Sequence, residues 1–94
     1  MALLHTVNKS PFERNVLSDC LRRAKDGSAV LLIEDGVYAA LERTSATDEI
    51  SSRTGSINFF ALAPDIEARG LGKKPLIDGI TLVDYGGFVD LVEE

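Results

Sequence analysis

Cys20 is the one side chain in this sequence able to attack as a sulfur nucleophile or carry a persulfide, and His5 is the one imidazole. A reactive cysteine needs exposure and a lowered pKa. Helical spacing puts Cys20 in mid-helix, about nine residues and roughly 14 Å beyond Pro11, too far for the amino-terminal dipole to help. Arg23 is close enough to stabilise a thiolate, whereas Asp19 opposes one. The neighbours of Cys20 on the helical face are Val16, Leu17, Leu21 and Ala24, and a free cysteine often packs as a small hydrophobe. Core packing and sulfur handling both remain open. His5 ends an apolar strand and reads either as a hydrogen-bonded structural imidazole or as a contact to a site or partner.

Carboxylates form the second set. In open parallel sheets the functional edge lies where strand carboxyl ends meet helix amino termini. The sequence places His5, Thr6 and Asn8 after a first strand, Glu34, Asp35 and Gly36 after a second, Asp65 after a third, and Asp84 and Tyr85 after a fourth. Such a row of acids could bind Mg²⁺ or take a phosphoryl group. The competing explanation is that Asp35, Asp65 and Asp84 cap the helices that follow them. A phosphoacceptor site would also need paired acids after the first strand, where this chain has His5 and Thr6. Capping is the expectation.

Other chemistries find no support. One His and one Cys do not make a zinc set. Glycine-rich nucleotide loops, CxxC and a nucleophile elbow are absent, so no metal and no cofactor is expected. Gly70-Leu71-Gly72-Lys73-Lys74 reads as solvated loop, because it does not lead from a strand into a helix.

The elements that must position these residues follow from patterning. Val30 to Ile33 is an unbroken apolar run suited to a strand buried on both faces, and Glu34-Asp35-Gly36 turns it into a helical pattern at Val37, Ala40 and Leu41. Met1 to Val7 reads as the first strand. Ser10-Pro11-Phe12-Glu13 is a helix start with a capping box. That helix carries Val16, Leu17, Cys20, Leu21 and Ala24 on one face and stops at Gly27. Arg43 to Gly55 is a long polar connection with at most a turn near Asp48 to Ser51. Ser56 to Ala63 is a third strand, Pro64 opens a short helix ending at Gly70, and Ile80 to Val83 is a fourth strand. Asp84 caps a last helix carrying Phe88, Val89, Leu91 and Val92. Repeated strand-helix units imply right-handed crossovers. The expected fold is α/β: a single domain over residues 1–94 with a parallel β-sheet of about four strands flanked by helices.

Composition narrows the classes. At 94 residues and 45% hydrophobic content, the chain is apolar for a lone small domain, which fits a doubly covered sheet or surface reserved for a partner. A formal charge of −5 argues against direct gripping of nucleic acid. A lone cysteine makes no internal disulfide. No run approaches the ~18 apolar residues a membrane span needs, so a soluble, cytoplasmic protein without membrane contact is expected.

The stretch His5-Thr6-Val7-Asn8-Lys9-Ser10-Pro11-Phe12, with Glu34-Asp35-Gly36-Val37-Tyr38-Ala39-Ala40 and Val83-Asp84-Tyr85, resembles the DsrH/TusB family of the DsrE/DsrF-like sulfur-relay group. The match runs through nearly the whole chain. The HTVNKSPFERN block and Cys20 look closer to the DsrH branch than to the TusB branch. Members commonly extend past the last helix, often with a Trp, whereas this sequence stops at Glu93-Glu94.

The resemblance implies a DsrE/F/H-like three-layer sandwich and a cytoplasmic heterohexamer with DsrE-like and DsrF-like partners (TusD-like and TusC-like in the other branch). That assembly exchanges sulfur with persulfide donor and acceptor proteins. The principal acceptor cysteine belongs to the DsrE/TusD-like subunit, and nothing here matches its position. Cys20 would be an auxiliary persulfide site at most, with His5, Asn8, Asp35 and Tyr85 as candidate site-edge or interface residues. The implied function is a mainly structural or auxiliary subunit in DsrEFH-type oxidative sulfur metabolism. The alternatives are a TusB-type subunit for 2-thiolation of tRNA wobble uridine, or a structural or regulatory subunit with no sulfur chemistry.

Overall fold

Four short apolar-rich runs form the strands: β1 (Leu4–Val7), β2 (Ala29–Leu32), β3 (Asn58–Leu62) and β4 (Ile80–Val83). The computed structural model describes residues 4–10 and 16–93. Between the strands lie α1 (Val16–Arg23), a 3-10 helix over Glu34–Ala40, α2 (Thr47–Ser51) and α3 (Ala63–Ala68), and α4 (Tyr85–Glu93) follows β4. The helix start expected at Pro11, Phe12 and Glu13 lies outside the described residues, as does the strand expected at Met1 to Leu3.

The strands pair in parallel in the unbroken order β1-β2-β3-β4. With right-handed crossovers, this order sends every connecting helix to the same face. The register confirms it. His5, Val30, Phe59 and Ile80 form one row, and Val7, Leu32, Ala61 and Leu82 the next row on that face. Val7, Val30, Leu32, Phe59 and Ala61 share one buried cluster with Leu17 and Leu21 of α1, Val37 and Ala40 of the 3-10 helix, Ile50 of α2 and Ile66 of α3. Leu31 and Leu62 alternate to the second face and are buried outside that cluster. There α4 packs beside β4, close enough that a Cβ on Gly87 would meet Val83 Cβ at 3.0 Å.

Polar contacts fix the connections. Gly27 ends the turn after α1 with φ +87°, the left-handed conformation glycine takes without strain. Arg53 reaches back to accept the role of a cap on α1, donating to the carbonyls of Leu21 at 2.9 Å and Ala24 at 3.1 Å. The Ser18 hydroxyl donates to the Glu49 carboxylate at 3.0 Å, tying α1 to α2. The polar connection from Arg43 to Gly55 is therefore ordered around α2 rather than a bare loop. Asp84 caps α4 as expected, accepting the Gly87 N–H at 2.8 Å.

Three expectations need correction. The segment after β2 is a 3-10 helix rather than an α-helix, because Gly36 is pressed against the end of β1. Asp65 does not cap α3: its Oδ2 accepts the backbone N–H of Glu34 at 2.6 Å, a bond across 31 residues that holds Glu34 at φ +49°. Asp35 makes no cap either. Its carboxylate takes the Arg69 guanidinium at 3.0 Å, while Arg69 also stands 3.9 Å from Asp65. Truncating Asp65 to alanine leaves the left-handed turn at Glu34 without its acceptor and should cost about 1 to 2 kcal/mol, read as a lower urea midpoint at unchanged slope.

Candidate functional site

The site grows out of the position of β1 at one margin of the sheet. Because β1 pairs only with β2 among the described residues, its other side meets α1 across an open cleft. The cleft has a volume of about 500 Å³ and is lined by Leu4, His5, Thr6, Asp19, Cys20 and Arg23. Strand alternation turns His5 toward the helical layer, and α1 brings Cys20 and Arg23, three residues apart, to face it. The two groups singled out in the sequence, thiol and imidazole, therefore share one cavity. It lies along the side of the sheet rather than at the carboxyl edge.

Cys20 is half-buried and partly packed against the core cluster. Burial pushes its thiol pKa above the ordinary value, and the Arg23 guanidinium opposes that shift without cancelling it. Asp19 is engaged by Arg22 in an i, i+3 ion pair. The thiol is thus kept protonated at neutral pH, the opposite of an activated nucleophile. Alkylation by iodoacetamide at pH 7 should run slower than for an unstructured cysteine peptide. It should still be rising well past about pH 8.5, where an unperturbed thiol is half ionised. Arg23→Ala should move that rise to still higher pH.

One ring nitrogen of His5, Nε2, is buried and has no hydrogen-bond partner among the described residues. An unpaired buried nitrogen costs roughly 1 to 3 kcal/mol, so an apolar replacement of similar shape is tolerated well.

The remaining candidates do not converge on this cleft. Asn8 is exposed beyond the end of β1. Asp35 is held in the Arg69 ion pair, leaving the acids after β2 and β3 engaged with each other's turns. Tyr85 is 61% exposed at the start of α4, beside β4. Three strand spacings, roughly 14 Å, separate that margin from β1. Arg69 and Arg53, the two side chains that organise these turns, were not singled out in the sequence, since their partners lie some thirty residues away. Among the described residues no three His, Cys, Asp or Glu side chains gather as a metal cage, and no helix is long and apolar enough to cross a membrane.

A single parallel sheet with a thiol cleft on its margin makes this a small α/β domain, and comparison with known proteins gives the class. The family model described as DsrH like protein matches residues 9–94, and the chain belongs to this DsrH/TusB family. Within it, the similarity runs to proteins named TusB. Protein TusB of Pectobacterium parmentieri is 36% identical over 94 residues, covering 98% of this chain and 93% of the relative. Protein TusB of Salmonella enteritidis is 42% identical over 71 residues, covering 76% and 72%. The ychN protein from E. coli superposes with a TM-score of 0.87 at 16% identity, over 100% of this chain and 93% of that one, and so shares the fold. Protein Tm0979 from Thermotoga maritima gives 0.67 at 29% identity, over 99% and 92%. These relatives favour the TusB branch over the DsrH branch suggested by the HTVNKSPFERN block and Cys20.

Proposed function

We propose that this chain is a TusB-type subunit of a sulfur-relay complex, acting with TusC-like and TusD-like partners in the 2-thiolation of tRNA wobble uridine. The observation that carries this reading is the 36% identity to a TusB protein over 98% of the chain. The charge of −5 fits a subunit that leaves tRNA contact to others. A protonated, half-buried Cys20 fits a role in shape and positioning. Deleting the gene should lower the 2-thiouridine content of tRNA, and the intact gene should restore it. Unchanged thiouridine in the deletion strain would defeat the reading. Native mass measurement after co-expression with the TusC-like and TusD-like subunits tests the heterohexamer.

The cleft supports a second reading, in which Cys20 is an auxiliary persulfide site in a complex of either branch. The deprotonated Cys20 Sγ attacks the outer sulfur of a donor persulfide. A new S–S bond forms on Cys20, the donor's S–S bond breaks, and the donor leaves as its thiolate with no net oxidation. Loading the assembled complex with a persulfide donor should add about 32 Da to the peptide containing Cys20. Absence of that adduct would make Cys20 a packing residue. His5→Leu separates a packing imidazole from a working one: stability should hold or rise, while adduct formation falls only if His5 assists.

A further inference from the structure

The corner formed by β4 and α4 is built unlike any other part of the surface. Leu82, Tyr85 and Val89 are the large hydrophobic side chains most exposed among the described residues, at 48%, 61% and 53%. All three border one strand. Leu82 of β4 points to the face it shares with Val7, Leu32 and Ala61, while Tyr85 and Val89, one turn apart on α4, lie over the other face, so the three flank the strand from both sides.

The inner side of α4 is also apolar, with Gly87, Phe88 and Leu91 partly buried. A helix apolar on both sides belongs in an interior, and one with Gly86 and Gly87 in its first turn depends on packing for its stability. Among the described residues β4 is an edge strand, reading Ile-Thr-Leu-Val, with no Lys, Pro or bulge to discourage pairing on its open side. The opposite margin is different, because β1 is bordered there by Asp19 and Arg23 of α1.

Charge identifies the occupant. From Thr81 to Leu91 the sequence holds Asp84 and Asp90 and no Lys or Arg. A second copy of this chain docking corner to corner would set these acids against each other. We propose that the β4–α4 corner is the docking surface for a different protein chain, one presenting an apolar centre rimmed by Lys and Arg. The proposal rests on the relay-complex reading in taking that chain to be a TusC-like or TusD-like subunit. Leu82, Tyr85 and Val89 enter the partner's apolar centre, and Asp90 faces its basic rim.

The test is co-expression of the full chain with the TusC-like and TusD-like subunits of the same genome, followed by affinity measurement. Val89→Glu and Leu82→Glu sit at exposed positions, so their melting curves should match that of the wild type. Each should weaken assembly roughly 30-fold or more. Asp90→Lys should weaken it less, and should also flatten its salt dependence. Cys20→Ser, at the opposite margin, should leave assembly unchanged.

Full assembly of folded Val89→Glu and Leu82→Glu would overturn the surface while leaving the complex, and hence the functional reading, intact. Failure of the wild-type chain to join either subunit would bring down that reading and the proposal with it. A wild-type homodimer broken by Val89→Glu would assign the corner to a second copy and overturn the proposed partner.

Discussion

Gly36→Ala should destabilise the domain by about 3 kcal/mol or more, lowering its melting temperature by roughly 12 to 24 °C in a circular-dichroism melt. The reason is one close approach. A Cβ on Gly36 would lie 2.0 Å from the carbonyl oxygen of Val7 and 2.7 Å from its carbonyl carbon. Both atoms are backbone at the end of β1, with no side chain to swing aside. The same Val7 oxygen accepts the Ile33 N–H at 3.0 Å, so relief requires moving β1 away from β2 or unwinding the 3-10 helix. Gly27→Ala is the control. Gly27 has φ +87° but open space around its Cβ position, so it carries only the conformational cost, about 1 kcal/mol. Equal losses at the two positions would refute the steric account.

Phe59→Ala should cost about 3 to 5 kcal/mol. Phe59 is 1% exposed on the helix-covered face of β3, in the row between Val30 and Ile80. Its removal leaves a cavity between the sheet and the helices packed on it, and the sheet side cannot collapse without disturbing strand pairing. Phe60, next along the strand, points to the second face and is only partly buried. Phe60→Ala should therefore cost markedly less, and urea unfolding of the pair compares the packing of the two faces directly. A partner that covers the second face would close that gap, so the same comparison repeated in the assembled complex should show Phe60→Ala approaching its neighbour.

The strands were legible because each is a short apolar run bounded by turn residues; β4 has the limits Ile80 to Val83 that its sequence suggested. The cap at Asp84 was legible for a similar reason, since it involves only residues three apart. The same capping rule failed at Asp65 and Asp35. There Arg69 and the Glu34 N–H compete for the carboxylates from the neighbouring strand-helix unit, and tertiary proximity leaves no local mark. Spacing at Val37 and Ala40 fits a 3-10 helix as well as an α-helix, and the contact that decides between them is made with β1. Cys20 and His5 were both singled out, but their meeting in one cleft depends on β1 lying at a margin beside α1. Strand order determines that, and no motif encodes it.

The unbroken strand order also shapes how the chain comes into being. Each strand pairs with the one made just before it, so a nascent chain leaving the ribosome always finds its docking edge already built. No early strand has to wait for a distant late one, which keeps loop-closure costs modest for an all-parallel sheet. Growth therefore proceeds outward from β1, and β4 with its glycine-bearing helix joins only after the other three strands are in place.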